Sequence, residues 1–345
     1  MSGLRAHIGS FTSEGGPGIV TASVEAGTGA LTAVHTTDSV ADPSFLTVDA
    51  PRGVLYTVTE TAAGAAAALR LTGDGLALAG AAVPVDGVSP THLALAGAHL
   101  LTANYGSGSV SVLPLDADGL LDGPARVLRH EGGGPNAARQ EGPHAHWVHP
   151  DPTGAWVLSV DLGTDSVRVC VIGDDGALSV HDETRLRPGS GPRHLVFHPR
   201  GHRAYVVNEL DPTVTVLGWD ADTGRLSPLG ETPILPKDVA ADTEAYASGI
   251  AVSADGRFLY TAIRGHDSVS VLALDDTGDE LDLVANVHCG GRWPRALTLD
   301  PQGTHLYVAN QHSGDVTWFA LDEAMGVPSR SGALAVPAAS CVVFS

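Results

Sequence analysis

The segment Gln140-Glu141-Gly142-Pro143-His144-Ala145-His146-Trp147 carries two histidines two residues apart, the spacing that puts both on one face of a β-strand. An imidazole so placed can serve as general base, general acid or metal ligand. Three other stretches carry groups that complement it: Pro192-Arg193-His194, Asn208-Glu209 and Ile263-Arg264-Gly265. Histidine can take or return a proton, guanidinium can hold an anion through its planar donors, and a carboxylate can orient either. Glu209 among arginines would be a weak base, so histidine is the expected base. These residues lie far apart in the chain, so the chemistry depends on what brings them together.

A repeat does so. Copies of one unit begin at Pro43, Pro90, Pro143, Pro192, Ala247 and Pro294, 47 to 55 residues apart. Each runs from an apolar stretch through a turn, as in Asp151-Pro152-Thr153-Gly154 or Asp300-Pro301-Gln302-Gly303, into a second apolar stretch with a polar end. Several continue into Ser-Val-x-Val, as at Ser109-Val110-Ser111-Val112. Period-two alternation, broken by turns every 8–12 residues or so, predicts four short antiparallel strands per unit. At the ends, Ser340-Cys341-Val342-Val343-Phe344 supplies a lone first strand, while residues 6–10, 19–22 and 31–34 supply the other three. The expectation is an all-β, seven-bladed β-propeller forming one domain over residues 1–345. The C-terminal strand joins the N-terminal strands in one blade, closing the ring without a free sheet edge.

In such a blade the first hairpin turns on one face of the disc. The start of the first strand and the end of the second therefore meet at the opposite mouth of the central channel. That mouth collects side chains that differ between blades where scaffold residues would be alike. His144, His146, Arg193, Glu209 and Arg264 are expected to be catalytic, and His92, Asp161, His194, Arg295, Asn310 and Gln311 to contact substrate. Asn104, Asn208 and Asn310 recur and fit bonding to the adjoining turn better than contact with a ligand. Arg295 equally fits an ion pair with Asp161 or Glu209. His149, His198 and Trp147 lie further along their strands and are expected to pack. The connections 129–142 and 231–245 are expected to wall the mouth. Nearby arginines raise the cost of a cation on His144 and His146, so no metal and no cofactor are expected.

Composition narrows the partners. Acidic residues number 39 against 19 basic ones, Lys237 is the sole lysine, and the formal charge is −20. That field repels polyanions, which disfavours nucleic acid and acidic membranes. No apolar run approaches the roughly 18 residues of a membrane span, and Met1-Ser2-Gly3-Leu4-Arg5 lacks a secretory pattern. The expected location is cytoplasmic. Cys170, Cys289 and Cys341 lack metal-ligand spacing and are expected to be buried, reduced thiols.

The blocks Asn104-Tyr105-Gly106-Ser107-Gly108-Ser109-Val110-Ser111-Val112, Gly142-Pro143-His144-Ala145-His146, Asp161-Leu162-Gly163, Gly191-Pro192-Arg193-His194, Asn208-Glu209-Leu210 and Arg264-Gly265-His266-Asp267-Ser268 together resemble the seven-bladed lactonase family. That family includes propeller-type 6-phosphogluconolactonases and carboxymuconate lactonizing enzymes. The resemblance implies a site of His, Arg, Glu and Arg at one mouth, matched here by His144 or His146, Arg193, Glu209 and Arg264. It implies a small anionic or sugar lactone as partner and lactone hydrolysis as the activity, with 6-phosphogluconolactone as a candidate substrate. Lactone-forming cycloisomerisation and a non-catalytic, ligand-binding propeller are the alternatives. Ile263 stands where many relatives resemble Asn, and no proline precedes Ser248. Both departures place the orientation of the neighbouring residues in question.

Overall fold

The computed structural model describes residues 3–73, 75–240 and 242–345. Met1 and Ser2 of the N-terminal pattern, and Ala241 in the 231–245 connection, lie outside them. The described strands form seven antiparallel sheets arranged as a β-propeller. Blades 1 to 6 begin with the innermost strands Leu46–Asp49, Pro90–Ala96, Ala145–Pro150, Pro192–Phe197, Tyr246–Val252 and Pro294–Leu299. In blade 7 the C-terminal strand Ala339–Phe344 is innermost and pairs with Arg5–Ser10, as in Ile8 opposite Val342. The 3-10 turn Thr12–Glu14 is the one helical element among the described residues, and none of their helices is long and apolar enough to cross a membrane.

Burial explains the sequence pattern. Second strands lie between neighbouring blades and are covered on both faces, so Phe258–Arg264 is buried at every position. Outermost strands such as Leu178–Arg185 are exposed at most positions. The core is a series of inter-blade seams. Between blades 3 and 4, Leu158, Val160, Val167 and Val169 pack on Leu195, Ala204, Val206, Leu217 and Trp219. Each fully buried aliphatic side chain contributes about 1.5–3 kcal/mol. Four second-strand tyrosines add a polar tie from one blade to the next. Tyr56, Tyr205, Tyr260 and Tyr307 donate to the carbonyls of Gly119, Gly278, Gly326 and Gly29 at 2.5, 2.9, 3.1 and 2.7 Å. The three cysteines are free and buried, and burial pushes each thiol up to about 12.

Two recurring devices shape one mouth. At the entry of a blade, a backbone carbonyl accepts the N–H of the residue just after the second strand. Glu60, Tyr105, Leu162, Glu209 and Gln311 donate in this way to Asp42, Ser89, His144, Gly191 and Trp293 at 2.7–3.1 Å. One step into the innermost strand, the pairing register then skips a residue. Ala145 faces Asp161 but Trp147 faces Val160; Pro192 faces Asn208 but His194 faces Val207; Pro294 faces Asn310 but Ala296 faces Ala309. The skipped residues are His146, Arg193 and Arg295. A β-bulge leaves its extra residue out of the ladder and re-aims its side chain. This register corrects the start of the third repeat: Ala145, not Pro143, is the counterpart of Pro192. His144 then corresponds to Gly191, and His146 to Arg193.

Candidate active site

Glu209 is the hub. Its Oε2 lies 2.8 Å from Arg264 Nη2 and 3.0 Å from Arg193 Nε, and its Oε1 accepts a hydrogen bond from Arg139 Nη2 at 2.5 Å. Burial pushes this carboxyl up, but Arg264, Arg193, His146 and Arg139 outweigh it and hold the group well below the usual carboxylate range. Arg193 is fully buried and donates through Nη1 to the Ser248 carbonyl and to His194 Nε2, both at 2.8 Å. His194 therefore presents Nε2 as an acceptor. Arg264 donates to the Ala247 carbonyl at 3.2 Å. Blade 5 lacks the expected proline, yet its strand entry still supplies a carbonyl to each arginine.

Aromatic rings also hold Arg264, whose guanidinium lies 5.5 Å from the Trp293 ring centre and 6.0 Å from that of Tyr246. Trp293 adopts a left-handed backbone (φ 61°), costly for a bulky residue, and its N–H donates to Asp267 Oδ1 at 2.7 Å. Ile263 is a core residue with no polar group to offer. In blades 2, 4 and 6 the corresponding Asn104, Asn208 and Asn310 donate to two side-chain oxygens on the third strand. In blade 5 Asn286 of the outermost strand does this, reaching Ser268 Oγ at 3.0 Å and Ser270 Oγ at 2.8 Å. The missing amide is thus replaced from the other side of the same strand.

The two histidines sit differently. His146 is a bulge residue, 5% exposed, with ring contacts to His194 and Tyr105 at 5.2 and 5.6 Å. Its Nδ1 is buried without a partner. Burial first, then Arg193, hold its pKa well below the ordinary histidine value, against an opposing pull from Glu209. The ring is therefore neutral at pH 7. His144 lies at the blade entry, stacked on Tyr105 with ring centres 4.4 Å apart. Its Nδ1 is 3.0 Å from the Tyr105 carbonyl and its Nε2 is 3.4 Å from Glu141 Oε1. It is wall rather than centre.

The remaining candidates divide. Arg295 pairs with Glu60 at 3.2 Å, neither Asp161 nor Glu209, and lies over the Phe11 ring. Glu60 is pushed up by burial against the pull of Arg295. Asp161 is turned into its own blade: it binds His130 at 2.6 Å, lies 3.4 Å from Arg168, and accepts the His144 and Thr164 N–H groups. Asn310 is spent on Asp315 and Thr317, and Gln311 on Glu14 at the rim. Asp161 has both carboxylate oxygens engaged within its blade, whereas Asn310 engages its amide nitrogen and leaves Oδ1 buried without a partner. His92 and His194 lie one layer below the bulge residues. There Trp147, expected to be packing alone, stacks on His92 at 3.5 Å and lies 4.1 Å from His194, with Phe45 against both His92 and Trp147. Below these rings the channel widens to about 530 Å³, lined mostly by apolar residues, and opens at the opposite mouth away from the arginines. This cavity has none of Arg139, Arg193, Glu209 and Arg264 in its lining.

Sequence reasoning missed Arg139, Glu60, Tyr246 and Trp293. Glu60 had a signal, because it follows its second strand as Glu209 does, but blade 1 lacks the Ser-Val landmark used for alignment. Among the described residues, no group of three or more His, Cys, Asp or Glu is arranged to hold a metal ion.

Comparison with known proteins agrees with this architecture. Residues 5–344 match the family model described as lactonase, 7-bladed beta-propeller. The chain is 32% identical to the 6-phosphogluconolactonase of Bacillus subtilis, over 100% of its own length and 99% of the relative's. Its structure resembles the periplasmic gluconolactonase PpgL of Pseudomonas aeruginosa, with a TM-score of 0.92, 28% identity, and coverage of 99% and 98% of the two chains. A Lactobacillus plantarum protein matches at a TM-score of 0.91 and 30% identity, covering 99% of each chain. With a family match across nearly all its length, the chain belongs to the lactonase family of seven-bladed β-propellers.

Proposed function

We propose that this lactonase hydrolyses a sugar lactone, with 6-phosphogluconolactone as the preferred substrate, and that His146 is its base. The observation that carries the proposal is a neutral imidazole with an unpartnered buried Nδ1 beside Arg193, Arg264 and Glu209. His146 takes a proton from water as the water oxygen attacks the lactone carbonyl. Arg264 and Arg193 offset the negative charge that grows on the carbonyl oxygen. The imidazolium then returns the proton to the ring oxygen as the C–O bond breaks, giving the open hydroxy acid. Glu209 stays ionised throughout: it fixes both arginines and stabilises the imidazolium between the two transfers. Its depressed pKa suits that role and not that of base.

Charge supports an anionic substrate. Within the ion-paired cluster, Arg139, Arg193, Arg264 and Arg295 face Glu209 and Glu60, leaving two positive charges over in a protein whose formal charge is −20. Screening over about 8 Å lets this local excess prevail at the mouth. The name of the Bacillus relative points the same way, while that of the Pseudomonas relative specifies an uncharged sugar lactone. The test is a panel holding 6-phosphogluconolactone, glucono-δ-lactone and a carboxymuconate, with acid release and ring closure followed above the spontaneous rates. Hydrolysis of a sugar lactone is the expected result. Cyclisation of the muconate without lactone hydrolysis would overturn the proposal.

A further inference from the structure

Arg139 is unlike the other arginines of the cluster. It comes from the connection between blades 2 and 3 and not from a strand, and its side chain is 35% exposed where those of Arg193 and Arg264 are 2% and 9%. Its backbone is nevertheless fixed, because the next residue is a buried anchor. Gln140 Nε2 donates to the Leu162 carbonyl at 2.9 Å and to Asp165 Oδ1 at 2.8 Å, while its Oε1 accepts the Asn136 N–H at 3.1 Å. The N–H groups of Arg139 and Gln140 both donate to the Asn136 carbonyl, at 3.1 and 2.7 Å. A tight turn thus holds a long, partly solvated cation over the mouth.

Arg139 is not needed to neutralise Glu209, whose Oε2 already has two buried arginines. Both of its own hydrogen bonds, to Glu209 and to the Tyr105 hydroxyl at 3.5 Å, are made by Nη2. Among the described residues, Nε and Nη1 have no hydrogen-bond partner. A guanidinium held by one nitrogen, with the other two facing solvent at the edge of a reacting centre, presents the forked donor geometry that binds a phosphate ester.

We infer that Arg139 is the specificity-determining residue of this site, taking through Nη1 and Nε a phosphate group carried by the lactone away from its reacting carbonyl. The inference rests on the sugar-lactone reading. It explains why the cluster carries surplus positive charge on its solvent side, where a substituent remote from the carbonyl would lie. It also separates labour: Arg193 and Arg264 serve the reacting carbonyl, and Arg139 serves recognition.

The experiment compares wild type, Arg139→Ala and Arg139→Lys on 6-phosphogluconolactone and on glucono-δ-lactone, with thermal melts to show that each variant is folded. For the alanine variant, KM for the phosphorylated lactone should rise about 10- to 100-fold, the loss expected for a charge-assisted bond, with a much smaller change in kcat. The penalty on the unphosphorylated lactone should be several-fold smaller, and lysine should restore part of the loss. An equal penalty on both substrates, or a fall in kcat alone, would overturn the assignment and make Arg139 a support for Glu209. If wild type turns over neither lactone, the sugar-lactone reading fails, and calorimetry with inorganic phosphate decides Arg139 separately. Binding by wild type that is lost in the alanine variant supports the assignment; absent or unchanged binding overturns it.

Discussion

His7 sits at the weld that closes the ring, and acid should loosen it there. Its Nδ1 meets Thr21 Oγ1 at 3.0 Å, its Nε2 meets Ser345 Oγ at 2.9 Å, and its strand pairs with the C-terminal strand. Burial, then Arg5, lower its pKa from 6.5 to about 4. Above pH 7.5 both folded and unfolded chains carry a neutral imidazole. As pH falls, the unfolded chain takes up a proton near 6.5 while the folded one does not until about 4. Stability is therefore full at neutral pH and falls through that window, by about 2 kcal/mol at pH 5 and about 3 kcal/mol at pH 4. Other groups titrate there too, so the quantity to measure is a difference. Urea unfolding of wild type and His7→Asn at pH 7.5, 5 and 4 should show wild type losing that much more than the variant. Parallel losses in the two proteins would refute the reasoning.

Other consequences can be checked with single substitutions. Asn286→Ala removes the amide that replaces the one missing at Ile263 and leaves the Ser268 and Ser270 hydroxyls short of a donor; a loss of about 1–2 kcal/mol is expected in denaturant melts. A Cβ on Gly163 would collide with the Gly142 carbonyl and crowd the His144 backbone, so Gly163→Ala should destabilise by about 1–3 kcal/mol and lower activity together. Because burial and Arg193 keep His146 neutral well below pH 6.5, kcat/KM should stay level from pH 7.5 down past pH 6.5, with its acid limb lower still. A limb centred at 6.5 in a pH–rate profile would contradict that placement.

The seven-fold repeat and the closing strand were legible because each blade writes its hairpin in the same alternating, turn-punctuated form. Ring closure followed from a lone first strand at the C-terminal end and three strands lacking a first at the N-terminal end, now seen as Ala339–Phe344 against Arg5–Ser10. The bulge was not legible. It shifts pairing by one residue without a compositional mark, and Pro143 imitates the proline that opens other innermost strands. His144 and His146 therefore looked equivalent until the register separated them. Asp161 appeared to belong to the mouth because its counterparts in other blades were read by position alone. Its partners are His130, from the connection before the blade, and Arg168, at the variable position of Ser166-Val167-Arg168-Val169, and burying a carboxylate requires such partners. Arg139 was hidden for another reason. A loop residue has no periodicity, and only the Gln140 anchor shows where it must point.

The central claim, that His146 with Arg264 and Arg193 carries the reaction while His144 is part of the wall, is tested most directly by steady-state hydrolysis of 6-phosphogluconolactone in a pH-stat. Wild type, His146→Ala, Arg264→Ala and His144→Ala would be compared after subtraction of the spontaneous rate. The account predicts losses of about 100-fold or more in kcat for His146→Ala and Arg264→Ala, and less than about tenfold for His144→Ala. Wild-type turnover by His146→Ala, or a larger loss in His144→Ala than in His146→Ala, would contradict it.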